Sequence, residues 1–287
     1  MKKEKKYIVI FYCITISFLI LLAIFNRYDL SISIALYDKD SVFGLLFAMF
    51  GEWPMNVSFL FSSVFLFVTR PKANTLLHIS GFLGWGLSSI VGAFYTVVVP
   101  VEFFLILKNV EPSQLLILLI IPVIIIFVLL VRRLKKEQYI LLRKTSKTIV
   151  LYFYVANLTT YVIKLLWGRL RFCDMQQPIN EFTAWYLPQG FTGNYSFISG
   201  STMNACFCLL LVSVVTTISP RLGSKEKILY ILASAWIMCV ALSRVIYGAH
   251  FASDVTMGAI LGVTLFLALK RQELDRGFRL RTKSVTM

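Results

Sequence analysis

The sequence predicts an all-α, polytopic helical membrane protein with about eight transmembrane helices, and three observations carry that prediction. Hydrophobic residues make up 58% of the chain against 15% charged, with a mean hydropathy of +0.77. A soluble domain carries about 25% charged residues. The apolar residues also fall in runs close to the ~20 residues that cross a bilayer, not in one-sided stripes. Finally, the net charge of +15 gathers where those runs end, as the positive-inside rule expects. That distribution argues against a soluble basic patch, and no nucleic-acid partner is expected.

The first run, from Tyr7 to Phe25, follows the basic start "MKKEKK". It is longer than a signal-peptide core and no small-x-small cleavage site follows, so it reads as a retained span. Further spans fall at roughly 45–69, 75–107, 114–131, 148–166, 200–218, 227–245 and 251–269. The 75–107 run is long, with Pro100 and Glu102 in its second half, and could be one crossing or two. Charge counting favours one. With eight crossings and both termini cytoplasmic, 22 of the 29 Lys and Arg residues lie inside. A ninth crossing would destroy that bias. Outside remain Arg27, Lys39, Lys108, Lys164, Arg169, Arg171 and Arg244.

The chain then divides into N-terminal helices with a basic cytoplasmic loop (1–147), a core (148–270) and a basic tail (271–287). The loop at 132–147 and the tail are expected to face anionic inner-leaflet lipids. Cys13, Cys206, Cys208 and Cys239 sit in apolar runs and Cys173 in a polar stretch. All five read as free packing thiols and not as a disulfide framework.

Four of the outer cations lie beside or within spans, where an unpaired charge costs a few kcal/mol. They belong to stretches that the topology brings to one face. "KLLWGRLRF" (164–172) carries Lys164, Arg169 and Arg171, a cluster suited to phosphate oxygens. "NYSFISGST" (194–202) places Ser199 and Gly200 at a helix start, where free N–H groups and the helix dipole favour an anion. "SRVIYGAHFASD" (243–254) holds Arg244, His250 and Asp254, and His250 is one of two histidines in the chain. The four-residue spacing puts His250 and Asp254 one helical turn apart. The carboxylate can then accept a hydrogen bond from one ring nitrogen, leaving the other as nucleophile or base.

These three stretches resemble, in order and spacing, the signature of the type 2 phosphatidic acid phosphatase superfamily: Lys-x6-Arg-Pro, Pro-Ser-Gly-His and Ser-Arg-x5-His-x3-Asp. Ser243, Arg244, His250 and Asp254 match the third part in full. Lys164 and Arg171 match the first, with Phe172 in place of proline. Ser199 and Gly200 match the second, with Ile198 for proline and Ser201 for histidine. The resemblance covers roughly 148–270. It implies metal-independent phosphoryl transfer through a phosphohistidine, with no cofactor, acting on a membrane lipid phosphate at the outer face of a cell membrane of bacterial type. His250 would be the nucleophile and Asp254 its orienting partner. Lys164, Arg171, Arg244 and the backbone at Ser199 and Gly200 would hold the phosphoryl oxygens. Arg169 matches no family position and reads as a supporting charge.

Ser201 stands where the family has the histidine that protonates the leaving oxygen. A serine hydroxyl is a poor acid near neutral pH, and loss of acid catalysis costs about 10²–10⁴ in rate. An alkoxide leaving group needs that proton more than a lipid phosphate leaving from a diphosphate. Activity is therefore expected to favour diphosphates such as undecaprenyl diphosphate. The alternative is a pseudophosphatase that binds a lipid phosphate without turning it over.

The remaining features have plainer expectations. Phe182, Trp185, Tyr186, Phe191 and Tyr195 read as an interfacial aromatic belt. His78 reads as a hydrogen-bonded core residue, Gly81, Gly84 and Gly92 as sites of close helix packing, and Glu52 and Glu102 as candidate buried carboxylates.

Overall fold

The computed structural model describes the backbone of residues 2–71, 75–108 and 115–285, and side chains within 16–71, 75–102, 118–219 and 221–270. The described residues form helices and no strand. In chain order these are α1 (Lys2–Leu36), α2 (Val42–Phe50), α3 (Trp53–Val68), α4 (Thr75–Lys108), α5 (Leu115–Arg132) and α6 (Tyr139–Trp167). They continue as α7 (Pro178–Glu181), α8 (Gly200–Ala205), α9 (Phe207–Ile218), α10 (Pro220–Gly223), α11 (Glu226–Ile246) and α12 (Ala252–Val285).

Seven stretches among the described residues are long and apolar enough to cross a membrane: Ile16–Leu36, Val42–Val68, Thr75–Glu102, Lys136–Trp167, Gly200–Ile218, Glu226–Ile246 and Ala252–Lys270. The eighth expected span, 114–131, is α5, whose described apolar part, Leu118–Arg132, is shorter. The long 75–107 run is one continuous helix through Pro100, not two crossings. The first helix continues well past its expected end near residue 25. Asn26, Arg27 and Asp29 end the hydropathy run, but they do not break a helix. Asp29 is buried in protein, where a polar group can be satisfied.

The helices fall into two compact units, one made of residues 1–48 and 155–287 and the other of 49–154. Within the second unit α3 packs on α4 and α5, and α4 on α5. Phe59 stacks on Phe153 at 3.7 Å between ring centroids. Of the three glycines expected to mediate close packing, only Gly92 does so. A Cβ there would lie 2.9 Å from Leu60 Cα, whereas Gly81 meets only ordinary contacts and Gly84 has nothing within 4 Å. His78 is half-buried, and its Nδ1 has no hydrogen-bond partner among the described residues, contrary to the core reading. Its neighbours Leu77 and Ile79 are exposed, so this face of α4 looks out of the protein. Glu52 and Glu102 are half-buried and not sealed in a core.

In the first unit α12 packs against α1, α8, α9 and α11. Ala205, Cys206, Ile237 and Val240 form a buried cluster there. Gly258 and Gly262 of α12 face the start of α8. A Cβ at Gly258 would fall well inside 3.0 Å of the Ser199 carbonyl, and one at Gly262 would lie 2.7 Å from Met203 O. Small residues one turn apart let two apolar helices approach where water supplies no driving force. That contact sets the first turn of α12 beside the first turn of α8, the two places where candidate site residues cluster. Cys206 is buried and Cys208 and Cys239 are half-buried, all as free thiols, but Cys173 is exposed and does not pack as expected. The side chains of Cys13, Lys72, Lys108 and the basic tail lie outside the described residues.

Candidate active site

Two glycine turns deliver the central residues. Helix α6 stops at Trp167 because Gly168 takes φ +55° and its N–H bonds back to Lys164 O at 3.1 Å. This left-handed C-cap suits glycine, and any Cβ there would strike the Gly190 carbonyl. The turn sends Arg169 inward. Across the site, α11 ends before Gly248, with φ +71°. The N–H groups of Ala249 and His250 then close on Arg244 O at 3.1 and 3.2 Å. Asp254, in the first turn of α12, accepts the Phe251 N–H at 2.9 Å. An acidic residue at the third helical position reaching back to the N-cap amide is half of a capping box.

Arg169 is the largest fully buried side chain among the described residues, 0% exposed. Its Nη1 donates to Asp254 Oδ1 at 2.5 Å and to Ser253 Oγ at 3.0 Å, and its Nη2 donates to Asp29 Oδ2 at 2.9 Å. Its Nε donates to the Thr183 carbonyl at 3.0 Å, and its guanidinium lies 4.0 Å from the Phe251 ring centroid. Asp29 also accepts from Ser253 N at 2.9 Å and Ser253 Oγ at 2.5 Å. Asp254 Oδ2 accepts from Ser196 Oγ at 2.6 Å. A buried charge is tolerated when paired and hydrogen-bonded in this way. Arg169 is therefore the hub of the cluster, not the supporting charge that its sequence position suggested.

The direct His250–Asp254 hydrogen bond expected from their spacing is not made. His250 Nδ1 is 3.8 Å from Asp254 Oδ2 and instead lies 2.6 Å from the Ser196 carbonyl. The physical reason is competition: Arg169, Ser196 and the Phe251 amide occupy the Asp254 oxygens. Ser196 bridges the two, with its hydroxyl on Asp254 and its carbonyl on His250. Because a carbonyl only accepts, Nδ1 carries the proton, which leaves Nε2 of the neutral ring with its lone pair. Burial holds the His250 pKa down to about 3, with the nearby charges of Lys164 and Arg244 adding to the effect against the opposing pull of Asp254.

The other sequence-predicted residues are placed as follows. Lys164 and Arg244 are half-buried and close enough to act on His250. Arg244 Nη1 also reaches the Ala48 carbonyl at 3.4 Å. Arg171 is half-buried, and its charge acts on Cys173. Ser199 is sealed: its N–H donates to Asp254 O at 3.0 Å, and its hydroxyl caps Thr202 N at 3.3 Å. Its amide is thus already used. Those of Gly200 and Ser201 have no acceptor within their own helix. Ser201, in the first turn of α8, is 9% exposed.

Sequence reasoning missed Asp29, Ser196 and Ser253. For Asp29 a signal existed: a lone carboxylate inside a long apolar helix is a functional candidate by default. The hydropathy boundary hid it by assigning it to a loop.

A buried, arginine-held aspartate beside a histidine with a free Nε2 is accompanied by a match in sequence. Residues 146–278 match the model of the PAP2 superfamily. The match takes in all three motif stretches, and over them the chain is similar to that superfamily. Phosphatidylglycerophosphatase B of Bacillus subtilis (strain 168) is 29% identical over 123 residues, which is 42% of this chain and 61% of that relative. The chain thus spans under two thirds of the curated PAP2 relative it matches. No solved structure gives a significant match.

Proposed function

We propose that this chain is an integral membrane phosphatase that removes phosphate from a lipid phosphate or diphosphate through His250. The observation that carries the reading is the Nδ1–H of His250 held by the Ser196 carbonyl at 2.6 Å. It fixes the ring with its Nε2 lone pair available, the state a nucleophilic histidine needs. The PAP2 match and the similarity to a phosphatidylglycerophosphatase support the same chemistry.

In this mechanism the Nε2 lone pair forms a bond to phosphorus while the phosphorus–oxygen bond to the lipid breaks. The departing oxygen keeps the bonding pair, so that a diphosphate releases a lipid phosphate anion, while a monoester's alkoxide must take its proton from water. Water then attacks phosphorus, the P–N bond breaks, and inorganic phosphate leaves with His250 restored. Lys164, Arg171, Arg244 and the amides at Gly200 and Ser201 neutralise the phosphoryl oxygens. Asp254 orients His250 through Ser196. The charge bias across the spans supports a site at the outer face with both termini in the cytoplasm.

The departing oxygen has Ser201, not an acid, beside it. A lipid diphosphate, whose leaving group is a stable anion, is therefore the favoured substrate class. A second reading, a lipid-phosphate-binding pseudophosphatase, is favoured by the same residue. The test is phosphate release by purified protein in detergent with a chelator, offering undecaprenyl diphosphate and phosphatidic acid. Wild type is run beside His250→Ala and Ser201→His. Release from the diphosphate that disappears in His250→Ala is expected. Silence in wild type with activity gained in Ser201→His would replace the phosphatase reading with the binding one.

A further inference from the structure

The cluster around Arg169 holds more negative charge than positive. Asp29 Oδ1 accepts the Ser253 amide, and its Oδ2 accepts Arg169 Nη2 and Ser253 Oγ. That serine hydroxyl is itself the acceptor for Arg169 Nη1, so its proton goes to Asp29. Asp254 is likewise surrounded by donors: Arg169 Nη1 on one oxygen, Ser196 Oγ and the Phe251 amide on the other. A carboxyl group that accepts at both oxygens and donates nowhere is ionised. Two carboxylates therefore share one guanidinium, all three at most 1% exposed. One unit of negative charge is left uncompensated within the cluster, in a place from which water is excluded.

We infer that Asp29 is a positioning residue for the His250 site. It draws the Arg169 guanidinium into a shared pair, so that Arg169 does not fully neutralise Asp254. The surplus negative charge is thereby held beside Ser196 and His250. Without Asp29, Arg169 would pair with Asp254 alone and the cluster would be neutral.

The surplus matters when Nε2 bonds to phosphorus. The ring then gives up its lone pair while keeping Nδ1–H, and so becomes cationic. A fixed anion nearby stabilises that charge without reorganising, and such preorganised fields act most strongly where water is absent. Asp29 comes from α1, outside the 146–278 family match, so the device is built from a part of the chain that the matched region lacks. The kinetic consequence rests on the phosphoryl-transfer reading above. The effect on His250 does not.

The test uses the full-length protein in detergent, with Asp29→Asn removing the charge and Asp29→Glu keeping it. Two readouts are taken. The first is kcat and KM for phosphate release. The second is the His250 Nδ1–H resonance in ¹⁵N-histidine-labelled protein, tractable because the chain has only two histidines. Asp29→Asn should lower kcat about 10–100-fold, the usual range for outer-shell partners, with KM little changed. It should also move the resonance, and Asp29→Glu should recover part of both. Equal losses in Asn and Glu, or a kcat and resonance unmoved in Asn, would overturn the proposal. Should wild type show no His250-dependent release, the phosphatase reading fails, and the resonance alone decides the role of Asp29. Where Asp29→Asn does not fold, Asp29→Ser removes the charge with a smaller side chain, and an unmoved kcat and resonance there would refute the assignment.

Discussion

Gly258→Ala places one methyl group against the part of α8 that the proposed chemistry uses. The added Cβ would fall well inside 3.0 Å of the Ser199 carbonyl oxygen, with the Ser199 carbonyl carbon at 3.3 Å and Met203 N at 3.5 Å. All three neighbours are backbone, so no flexible side chain can swing aside. Restoring an ordinary contact requires α8 and α12 to separate by on the order of 1 Å. Overpacking of this kind costs about 1–3 kcal/mol. The same shift moves Ser199 and the amides of Gly200 and Ser201 against His250, and a misplacement near 1 Å costs roughly 10²-fold in rate. The assay pairs thermal unfolding in detergent with phosphate release under saturating lipid phosphate. A lowered midpoint and a fall in kcat approaching that size are expected. A variant with wild-type midpoint and wild-type kcat would show that the two helix ends are not held in the register described here.

Gly84→Ala is the control for that experiment. With nothing within 4 Å of the new methyl, it should gain up to about 1 kcal/mol from helix propensity, and a marked loss of stability would contradict the packing of α4. Arg169→Met should leave Asp29 and Asp254 buried without their shared cation and destabilise by about 3–5 kcal/mol. Retention of the wild-type thermal midpoint would refute the hub role. The His250 ring has its pKa lowered from 6.5 to about 3 in the fold, so between those values the unfolded chain binds a proton that the folded one does not. Stability from this group is complete above pH 6.5 and declines as the pH falls, by about 2 kcal/mol near pH 5. Thermal midpoints of wild type and His250→Gln at pH 7.5 and 5 test this. The variant should lose less on acidification, and equal losses would refute the burial of a neutral ring.

The all-helical membrane architecture was legible because hydropathy reports on residues one at a time, and spans need little else. The nearness of His250 and Asp254 was legible as well, because their spacing is local. What escaped was set by competition and distance. Spacing puts Asp254 within reach of His250, but nothing in spacing says that Arg169, Ser196 and an amide will claim its oxygens first. Hydropathy cannot distinguish Arg169 snorkelling at a helix end from Arg169 turned inward by Gly168. It also ended the first span before Asp29, since a carboxylate counts as polar whether lipid or a guanidinium faces it. Gly84 shows the converse, a residue whose type suggested contact and whose surroundings supply none.

The partnership of Asp29 with Ser253 joins α1 to α12 across 224 residues of chain. During synthesis α1 is made well before α12. A ribosome-bound chain that has inserted everything up to α11 still lacks both His250 and the serine that Asp29 holds. A product truncated before α12 therefore cannot carry the assembled cluster: Asp29 then has Arg169 available, but neither Ser253 nor the Asp254 that shares the same guanidinium.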